Sequence, residues 1–287
     1  MKKPIITVCI VTLFMFSCKN ETKETTRELP ERKEPKNISF RIEKTKKWFE
    51  ENKNNTKNLD IAFAVNRVDI ENFTKIDSVI IPTDLSGDKE FYLPFPFEVS
   101  FLDNVDKIIV FSYPTQAFAT YEYGILTYVG PTSMGSKTHK TPTGLFFTNW
   151  KAEQTTSTFN DEWDLKWNFN IENKEGVGFH EYSLPGYPAS HSCLRLLEKD
   201  AKHLYNWADQ WVLADAETVK IKGTPVVVFG SYDFNASKPW LQLLENPEAL
   251  SISENKINTI IKPLLNTILK EQEKRKALKN NVKKNPI

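Results

Sequence analysis

The chain is poor in cysteine, has no excess of charge of one sign, and lacks the signatures of several common sites. Among its 287 residues, 38 Lys or Arg balance 37 Asp or Glu, for a net charge of +1, which argues against a nucleic-acid partner. It contains no Gly-rich phosphate loop, no His-Glu-x-x-His motif and no distinctive glycosidase pair of carboxylates. One thiol beyond the N-terminal segment and scattered histidines do not make a zinc site. The residues therefore predict no metal site and no nucleic-acid binding.

The N-terminus has the layout of a secretory signal. Lys2 and Lys3 precede an apolar stretch, residues 4–16, which is too short to span a bilayer as a stable helix. Residues 13–18 (LFMFSC) resemble a bacterial lipobox, in which the cysteine is lipidated and becomes the new N-terminus. We therefore predict a signal peptide over residues 1–17, lipidation of Cys18, and an exported, membrane-anchored lipoprotein of the periplasm. An ordinary cleaved signal and an uncleaved anchor are the alternatives.

The segment after the signal has the composition of a tether. Residues 19–37 contain one apolar residue, Leu29, so this segment cannot bury enough surface to fold. Residues 18–37 are thus predicted to be the lipidated cysteine and a flexible tether.

A small α+β module is predicted over residues 38–105. A short helix is expected around Trp48 and Phe49, helical apolar spacing follows from residue 59, and a β-rich run ends at Pro82. This order resembles a LysM-like glycan-binding module over about 25 residues. The alternative, which we favour, is a subdomain that packs against the following residues.

The pattern becomes β from residue 106 and helical again near the C-terminus. Short apolar strands separated by turn signals are predicted at 108–111, 115–121, 125–129, 145–147 and 226–229. They define a β domain over residues 106–231, interrupted by one helix at 200–211. The remaining residues, 232–287, are predicted to form a helical extension capped by Ser253 and kinked at Pro263.

Beyond the signal region and its lipidated Cys18, the body of the mature chain keeps a single cysteine. Of the three in the sequence, Cys9 and Cys18 lie in the signal region, so Cys193 has no partner for an internal disulfide. An unpaired cysteine in an exported protein indicates a reactive thiol, although a buried structural cysteine is an alternative.

Two of the four histidines lie close to this cysteine in the chain. His180 and His191 fall within the stretch HEYSLPGYPASHSCLRL, residues 180–196. A thiol becomes a good nucleophile when it loses its proton, and an adjacent imidazole can accept that proton and lower the effective thiol pKa. Backbone amides at the tight turn before Cys193 can then bind a developing oxyanion. This arrangement favours acyl transfer.

These residues resemble the catalytic motif of the YkuD type of L,D-transpeptidases. That motif reads Ser-His-Gly-Cys, followed by a hydrophobic residue and Arg or Asn, and an upstream His precedes it. Here the corresponding residues are SHSCLR at 190–195 and His180. Further agreement lies at Thr115-Gln116, at TPTG (141–144) with Phe146, and at GTPV (223–226). The resemblance covers roughly residues 106–230.

The resemblance implies a mainly β, L,D-transpeptidase-like sandwich or barrel, here with the N-terminal module and C-terminal extension added. It also implies a Cys193 acyl-enzyme formed on a peptidoglycan tetrapeptide stem, at the bond before the terminal D-Ala. Transfer of the acyl group to the side-chain amine of a neighbouring stem makes a 3–3 cross-link. Neither a metal nor an organic cofactor is implied.

The resemblance also assigns roles to individual residues. His180 is the general base, and the backbone carbonyl of Glu181 orients it. His191 and the turn at Ser190, Ser192 and Cys193 shape the oxyanion and substrate site. Arg195 braces the loop or meets a substrate carboxylate.

The turn departs from the family pattern at one position. Ser192 occupies the place of the usual Gly, so it is strained if the turn requires a positive φ. Two alternative functions stay open: a stem-peptide hydrolase resembling an L,D-carboxypeptidase, in which water is the acceptor for the same thiol, and a non-catalytic peptidoglycan-binding lipoprotein. The oligomeric state is open as well.

Overall fold

The computed structural model describes residues 30–156 and 164–284. From Glu31 onward the chain forms one compact unit. The predicted signal peptide and Cys18 lie outside the described residues. None of the helices within the described ranges combines the length and the apolarity that a membrane crossing needs.

The N-terminal module consists of two strands with helices between them. Its elements are β1 (Phe40–Lys44), α1 (Thr45–Asn52), α2 (Thr56–Asn66), α3 (Ile70–Phe73) and β2 (Ser78–Pro82), and β1 pairs antiparallel with β2. Asn66 ties the helix end to the strand. Its side-chain amide donates to the carbonyls of Ala62 at 2.8 Å and Ile80 at 2.7 Å, and its oxygen accepts from the Ile80 N–H at 3.0 Å. The likeness to a LysM module stays a prediction.

Two larger sheets and a helix form the central part of the chain. The elements are β3 (Ile108–Ser112), β4 (Ala117–Glu122), β5 (Ile125–Pro131), β6 (Gly144–Phe147), β7 (Lys151–Thr156), β8 (Asp164–Glu172), β9 (Val177–Glu181), β10 (Leu194–Leu196), α4 (Glu198–Trp207), β11 (Val212–Leu213), β12 (Val219–Ile221) and β13 (Pro225–Phe229). The five-stranded sheet has the order β5-β4-β3-β13-β6, and the four-stranded sheet has the order β10-β9-β8-β7. Strands β11 and β12 form a separate pair.

The five-stranded sheet is buried on both faces, which explains its continuous apolar runs. One face, with Val110 and Val227, packs under the C-terminal helices. The other face, with Phe111, packs against Phe179 and Leu194 of the four-stranded sheet. The predicted mainly β sandwich is thereby confirmed, and within the described residues neither large sheet closes into a barrel.

The C-terminal extension is helical, with a break at its proline. It contains α5 (Glu254–Ile261) and α6 (Leu265–Lys284). The Ser253 side chain accepts a hydrogen bond from the Lys256 N–H at 3.2 Å, as an N-cap does. The predicted kink at Pro263 is a complete break between two helices, because proline has no N–H to continue the ladder.

Residues 31–37, which the sequence assigned to the tether, pack on the folded unit. The Lys33 N–H donates to the Asp88 carboxylate at 2.8 Å, and the Asp88 N–H donates back to the Lys33 carbonyl at 2.8 Å. Pro35 is buried, and Gly87 has no room for a side chain beside it. Composition misses this anchoring, because backbone groups, one proline and the Arg32 side chain, which donates to the Leu126 carbonyl, carry it.

Candidate active site

The ladder between β9 and β10 sets the geometry of the site. The two strands run parallel, with Leu194 opposite Phe179 and Arg195 opposite His180. Because side chains alternate along a strand, Phe179 and Leu194 enter the core, and His180 and Arg195 point to the opposite face. Cys193 immediately precedes β10, two residues before Arg195, and therefore shares that face. Thiol and imidazole thus come from neighbouring strands, whose backbones lie about 4.8 Å apart.

His180 is held as a neutral imidazole. It is only 3% exposed, and its Nδ1 lies 2.8 Å from the Glu181 carbonyl oxygen. A carbonyl only accepts hydrogen bonds, so Nδ1 carries the hydrogen and Nε2 keeps its lone pair. Burial lowers the pKa of His180 to about 4, the charge of Arg195 acts in the same direction, and the Glu181 bond opposes them.

The thiol is protonated at rest. Burial raises the pKa of Cys193 above its usual value, while a hydrogen bond from the Gly178 N–H and the nearby charge of Arg195 act against that rise. The thiol lies 3.9 Å from the Gly176 carbonyl oxygen. The sequence led us to expect that an imidazole would lower the thiol pKa. In the structure burial acts on both groups in the direction that favours their neutral forms: it raises the pKa of the Cys193 thiol and lowers the pKa of His180.

The turn before the thiol has the strained backbone that the sequence suggested. Ser192 has a φ of 79°, in the region that favours glycine. The Ser190 hydroxyl, 1% exposed, donates to the Cys193 carbonyl at 2.5 Å. The Ser190 N–H donates to the Met134 carbonyl at 3.0 Å. These bonds fix the backbone whose amides we assigned to the oxyanion site.

A second loop braces this turn from behind. The Thr141 hydroxyl donates to the Ser192 carbonyl at 2.8 Å and accepts from the Gly135 N–H at 2.8 Å. A Cβ on Gly135 would come within 2.3 Å of the backbone at His139 and Thr141, so only glycine fits there. The sequence marked residues 141–144 as a turn but missed this brace, since it joins residues 51 positions apart.

His191 lies at the surface of the turn. It is exposed, and its ring centroid is 4.3 Å from that of His139. Burial, followed by the charges of His139 and Arg195, lowers the pKa of His191. His139 had no signal in the sequence that would connect it with the site.

Arg195 is packed on an aromatic ring. Its guanidinium carbon lies 4.4 Å from the centroid of Tyr182, and the same ring meets His180 edge-on at 5.9 Å. The N–H and carbonyl of Arg195 exchange hydrogen bonds of 3.1 Å with Ser133. No ion pair found among the described residues includes Arg195, so its charge is available to a ligand.

A groove of about 1010 Å³ adjoins the site beyond Tyr182. Its walls include Glu181 and Tyr182 on one side and residues of α2 and α3 on the other. The module is fixed to the segment after β9, because the Asp69 carboxylate accepts from the Leu184 N–H at 2.6 Å. Asn72 adds a bond of 2.8 Å to the Ser183 hydroxyl.

The site contains no arrangement typical of a metal centre. In the ranges that the structure describes, no group of three or more His, Cys, Asp or Glu side chains is placed to hold a metal ion.

Comparisons with known proteins agree with the motif. Residues 106–228 match the family model of the L,D-transpeptidase catalytic domain, YkuD. A search among curated proteins found no match. Similar solved structures include an L,D-transpeptidase from Stackebrandtia nassauensis, 24% identical, covering 44% of this chain and 57% of that one, with a TM-score of 0.36.

Two further solved structures have similar values. An L,D-transpeptidase from Mycobacterium tuberculosis H37Rv is 20% identical, covering 44% of this chain and 58% of that one, with a TM-score of 0.35. An L,D-transpeptidase from Enterococcus faecium is 25% identical; the match covers 43% of this chain and 50% of that one, with a TM-score of 0.35. The chain thus spans between half and three fifths of the length of these proteins.

Proposed function

We propose that residues 106–228, which match the family model of the L,D-transpeptidase catalytic domain, YkuD, act on peptidoglycan tetrapeptide stems with Cys193 as the nucleophile. The observation that carries this proposal is the β9–β10 register, which puts Cys193 and a neutral His180, with its Nε2 unprotonated, on the same face of two neighbouring strands. A general base needs that protonation state.

The first step is the formation of an acyl-enzyme. The thiol of Cys193 attacks the carbonyl before the terminal D-Ala as His180 Nε2 takes its proton. The amides of the turn at Ser192 and Cys193 stabilise the oxyanion. The C–N bond then breaks, His180 returns the proton to the leaving amine, and D-Ala departs.

The second step transfers the acyl group. The side-chain amine of a neighbouring stem attacks the thioester, His180 accepts one proton from that amine, and the thiol is regenerated with that proton. The product is a 3–3 cross-link. The groove beyond Tyr182 supports an amine acceptor, since six Asp or Glu but only two Lys line it. The unpaired guanidinium of Arg195 suits a carboxylate of the stem.

The neutral resting pair affects how the thiol is activated. Because burial raises the pKa of the Cys193 thiol, the thiolate is a minor form at neutral pH. Proton transfer to His180 must therefore accompany attack on the substrate rather than precede it. Such a thiol is protected from indiscriminate alkylation and oxidation, which follow thiolate character.

The test uses a chain that begins at residue 19, so that the packed residues 31–37 are kept. It is incubated with purified disaccharide-tetrapeptides, and the products are resolved by mass, with Cys193→Ala as the control. A Cys193-dependent dimer that has lost one D-Ala supports transpeptidation. Shortened monomers without dimers would show that water is the acceptor, as in a hydrolase. An unchanged substrate would count against both and favour a binding role.

We propose further that the protein is exported and anchored through a lipid on Cys18. The support is the signal layout and lipobox-like residues 13–18. Fractionation of cells that express the full chain tests this, with mass analysis of the N-terminal peptide. We expect a lipidated Cys18 in the membrane fraction, and release of the protein or retention of its signal in Cys18→Ala. An unmodified Cys18 would contradict the proposal.

A further inference from the structure

The ring of Tyr182 is close to two side chains of the active site, His180 and Arg195. Tyr182 directly follows β9, and its N–H donates to the Leu196 carbonyl at 3.1 Å, which extends the pairing with β10. Side chains two positions apart along a strand share a face, so Tyr182 lies on the same face as His180. The two rings are 5.9 Å apart at an interplanar angle of 80°.

The same ring is the group on which the guanidinium of Arg195 packs. The central carbon of the guanidinium lies 4.4 Å from the Tyr182 ring centroid, within the roughly 6 Å over which an aromatic face attracts a cation. The backbone of Arg195 is hydrogen bonded to Ser133 and Thr132. In the ranges that the structure describes, no hydrogen bond or ion pair involves its guanidinium. Because a long side chain loses much rotamer freedom when it is fixed, this ring contact decides where the charge lies.

The position of this charge affects both groups of the proposed reaction. Arg195 stands opposite His180 in the ladder and two residues after Cys193. Burial raises the pKa of the Cys193 thiol, and the Gly178 N–H and the charge of Arg195 oppose that rise. Burial lowers the pKa of His180, and the charge of Arg195 acts in the same direction. A cation that moved away would therefore make the thiol harder to ionise and the imidazole easier to protonate.

A role in packing alone accounts for only part of this geometry. Tyr182 is partly exposed and lines the groove, so its ring is not needed to fill the core. An aliphatic side chain would cover similar apolar area, but it has no π face to attract a cation. Tyr187 is the other tyrosine that acts on the charge of Arg195. Its exposed ring lies 5.7 Å from Lys238 Nζ.

We propose that Tyr182 is a positioning residue, whose ring holds the guanidinium of Arg195 on the face that carries Cys193 and His180. The ring acts through Arg195 and takes no part in making or breaking bonds. The fixed positive charge favours the thiolate and opposes a second proton on the imidazole, so His180 stays available as a base. The catalytic consequence rests on the proposed function, but the placement of the cation can be measured on the thiol alone.

The pH dependence of Cys193 alkylation tests the proposal without a substrate. The chain from residue 19, which contains no other cysteine, is treated with excess iodoacetamide, and the rate is followed by mass. Alkylation follows the thiolate fraction. In Tyr182→Leu we expect the midpoint to rise by about half a pH unit, which lowers the rate at pH 8 about threefold. Tyr182→Phe keeps the aromatic face and should match the unsubstituted chain. A shift as large in Tyr182→Phe as in Tyr182→Leu would overturn the proposal.

A double-substitution cycle separates this role from a loss of packing. Arg195→Met removes the cation and should by itself lower the rate at pH 8 at least about threefold. Adding Tyr182→Leu to Arg195→Met should change the rate by less than about 1.5-fold, because the ring has no cation left to hold. An equal effect of Tyr182→Leu with and without Arg195 would overturn the proposal. An unchanged midpoint in Arg195→Met would do so even if Tyr182→Leu does not fold.

Two comparisons complete the experiment. Tyr187→Leu removes an exposed tyrosine of the same loop and is the matched control, so an equal shift in that variant would contradict a specific role of Tyr182. Release of D-Ala from the tetrapeptide is measured on the same samples. If alkylation responds as expected but no D-Ala is released, the placement of the cation stands and the proposed function fails. If D-Ala is released but alkylation does not respond to Tyr182→Leu, the proposed function stands and the role of Tyr182 fails.

Discussion

Replacing His180 by Gln should change both the catalytic activity and the pH dependence of stability. Gln is similar in size and can still donate to the Glu181 carbonyl, but it does not titrate. In the native protein, burial holds the pKa of His180 at about 4, whereas an unfolded histidine has a pKa near 6.5. The unfolded state therefore binds more protons than the folded state between these two values.

The sign and size of the stability effect follow by linkage. Stability contributed by a neutral buried histidine is complete above pH 6.5 and is lost as the pH falls towards about 4. At 1.36 kcal/mol per pH unit the full loss is about 3 kcal/mol, of which about 2 kcal/mol has occurred by pH 5. Between pH 7.5 and 5, the unfolding free energy of the native chain should therefore fall by about 2 kcal/mol more than that of His180→Gln.

Denaturant unfolding at the two pH values, followed by tryptophan fluorescence, measures the difference. His139→Gln, at an exposed position, is the matched control for a histidine substitution. D-Ala release from the tetrapeptide should fall by about 10²–10⁴-fold in His180→Gln, the usual contribution of a general base. In the native chain this step should retain its rate down to about pH 5. If the unfolding free energy changes with pH by the same amount in the native chain and in His180→Gln, the conclusion that His180 is buried and neutral is refuted.

The remaining predictions concern the loops around the site. Ser192→Gly should raise the unfolding free energy by up to about 1 kcal/mol, because glycine adopts a positive φ without strain. Ser192→Ala keeps the Cβ and should not raise it. Equal unfolding free energies of the two variants in denaturant would argue against strain at Ser192. Thr141→Val should lower the unfolding free energy by about 1–3 kcal/mol, because the buried Gly135 N–H loses its acceptor. Thr141→Ser keeps the hydroxyl and should lower it clearly less in the same measurement. Asp69→Ala should leave the Leu184 N–H without its acceptor and raise KM for the stem more than it lowers kcat; an unchanged KM would mean that the module does not shape the groove.

The residues that we expect to carry the chemistry could be singled out from the sequence because they are close together in the chain. Cys193, His191 and His180 fall within a short stretch that carries a specific residue pattern. The apolar runs predicted the strands of the five-stranded sheet because both of its faces are buried. The sequence also showed that Ser192 stands where the family has glycine. Its φ of 79° lies in the left-handed region that favours glycine, so the substitution places a Cβ on a strained backbone.

Other features depend on contacts between distant parts of the chain and were missed. The Thr141 brace acts through a backbone carbonyl, which has no sequence signature. Arg67 was overlooked because arginine is rarely fully buried, and only the fold shows that its donors meet the backbone carbonyls of Ala64, Val65 and Thr115. The thiol pKa was expected to move the other way, since burial is a property of the folded chain and not of the motif around Cys193.

The β9–β10 ladder makes the offset along the strands between Cys193 and His180 a discrete quantity. A slip of one residue turns His180 to the opposite face, and a slip of two displaces it by about 6.6 Å; no intermediate register exists. Substitutions in the core behind the ladder, at Phe179 or Leu194, should therefore act in an all-or-none manner. They change the fraction of molecules that are folded, and each folded molecule keeps its full turnover rate.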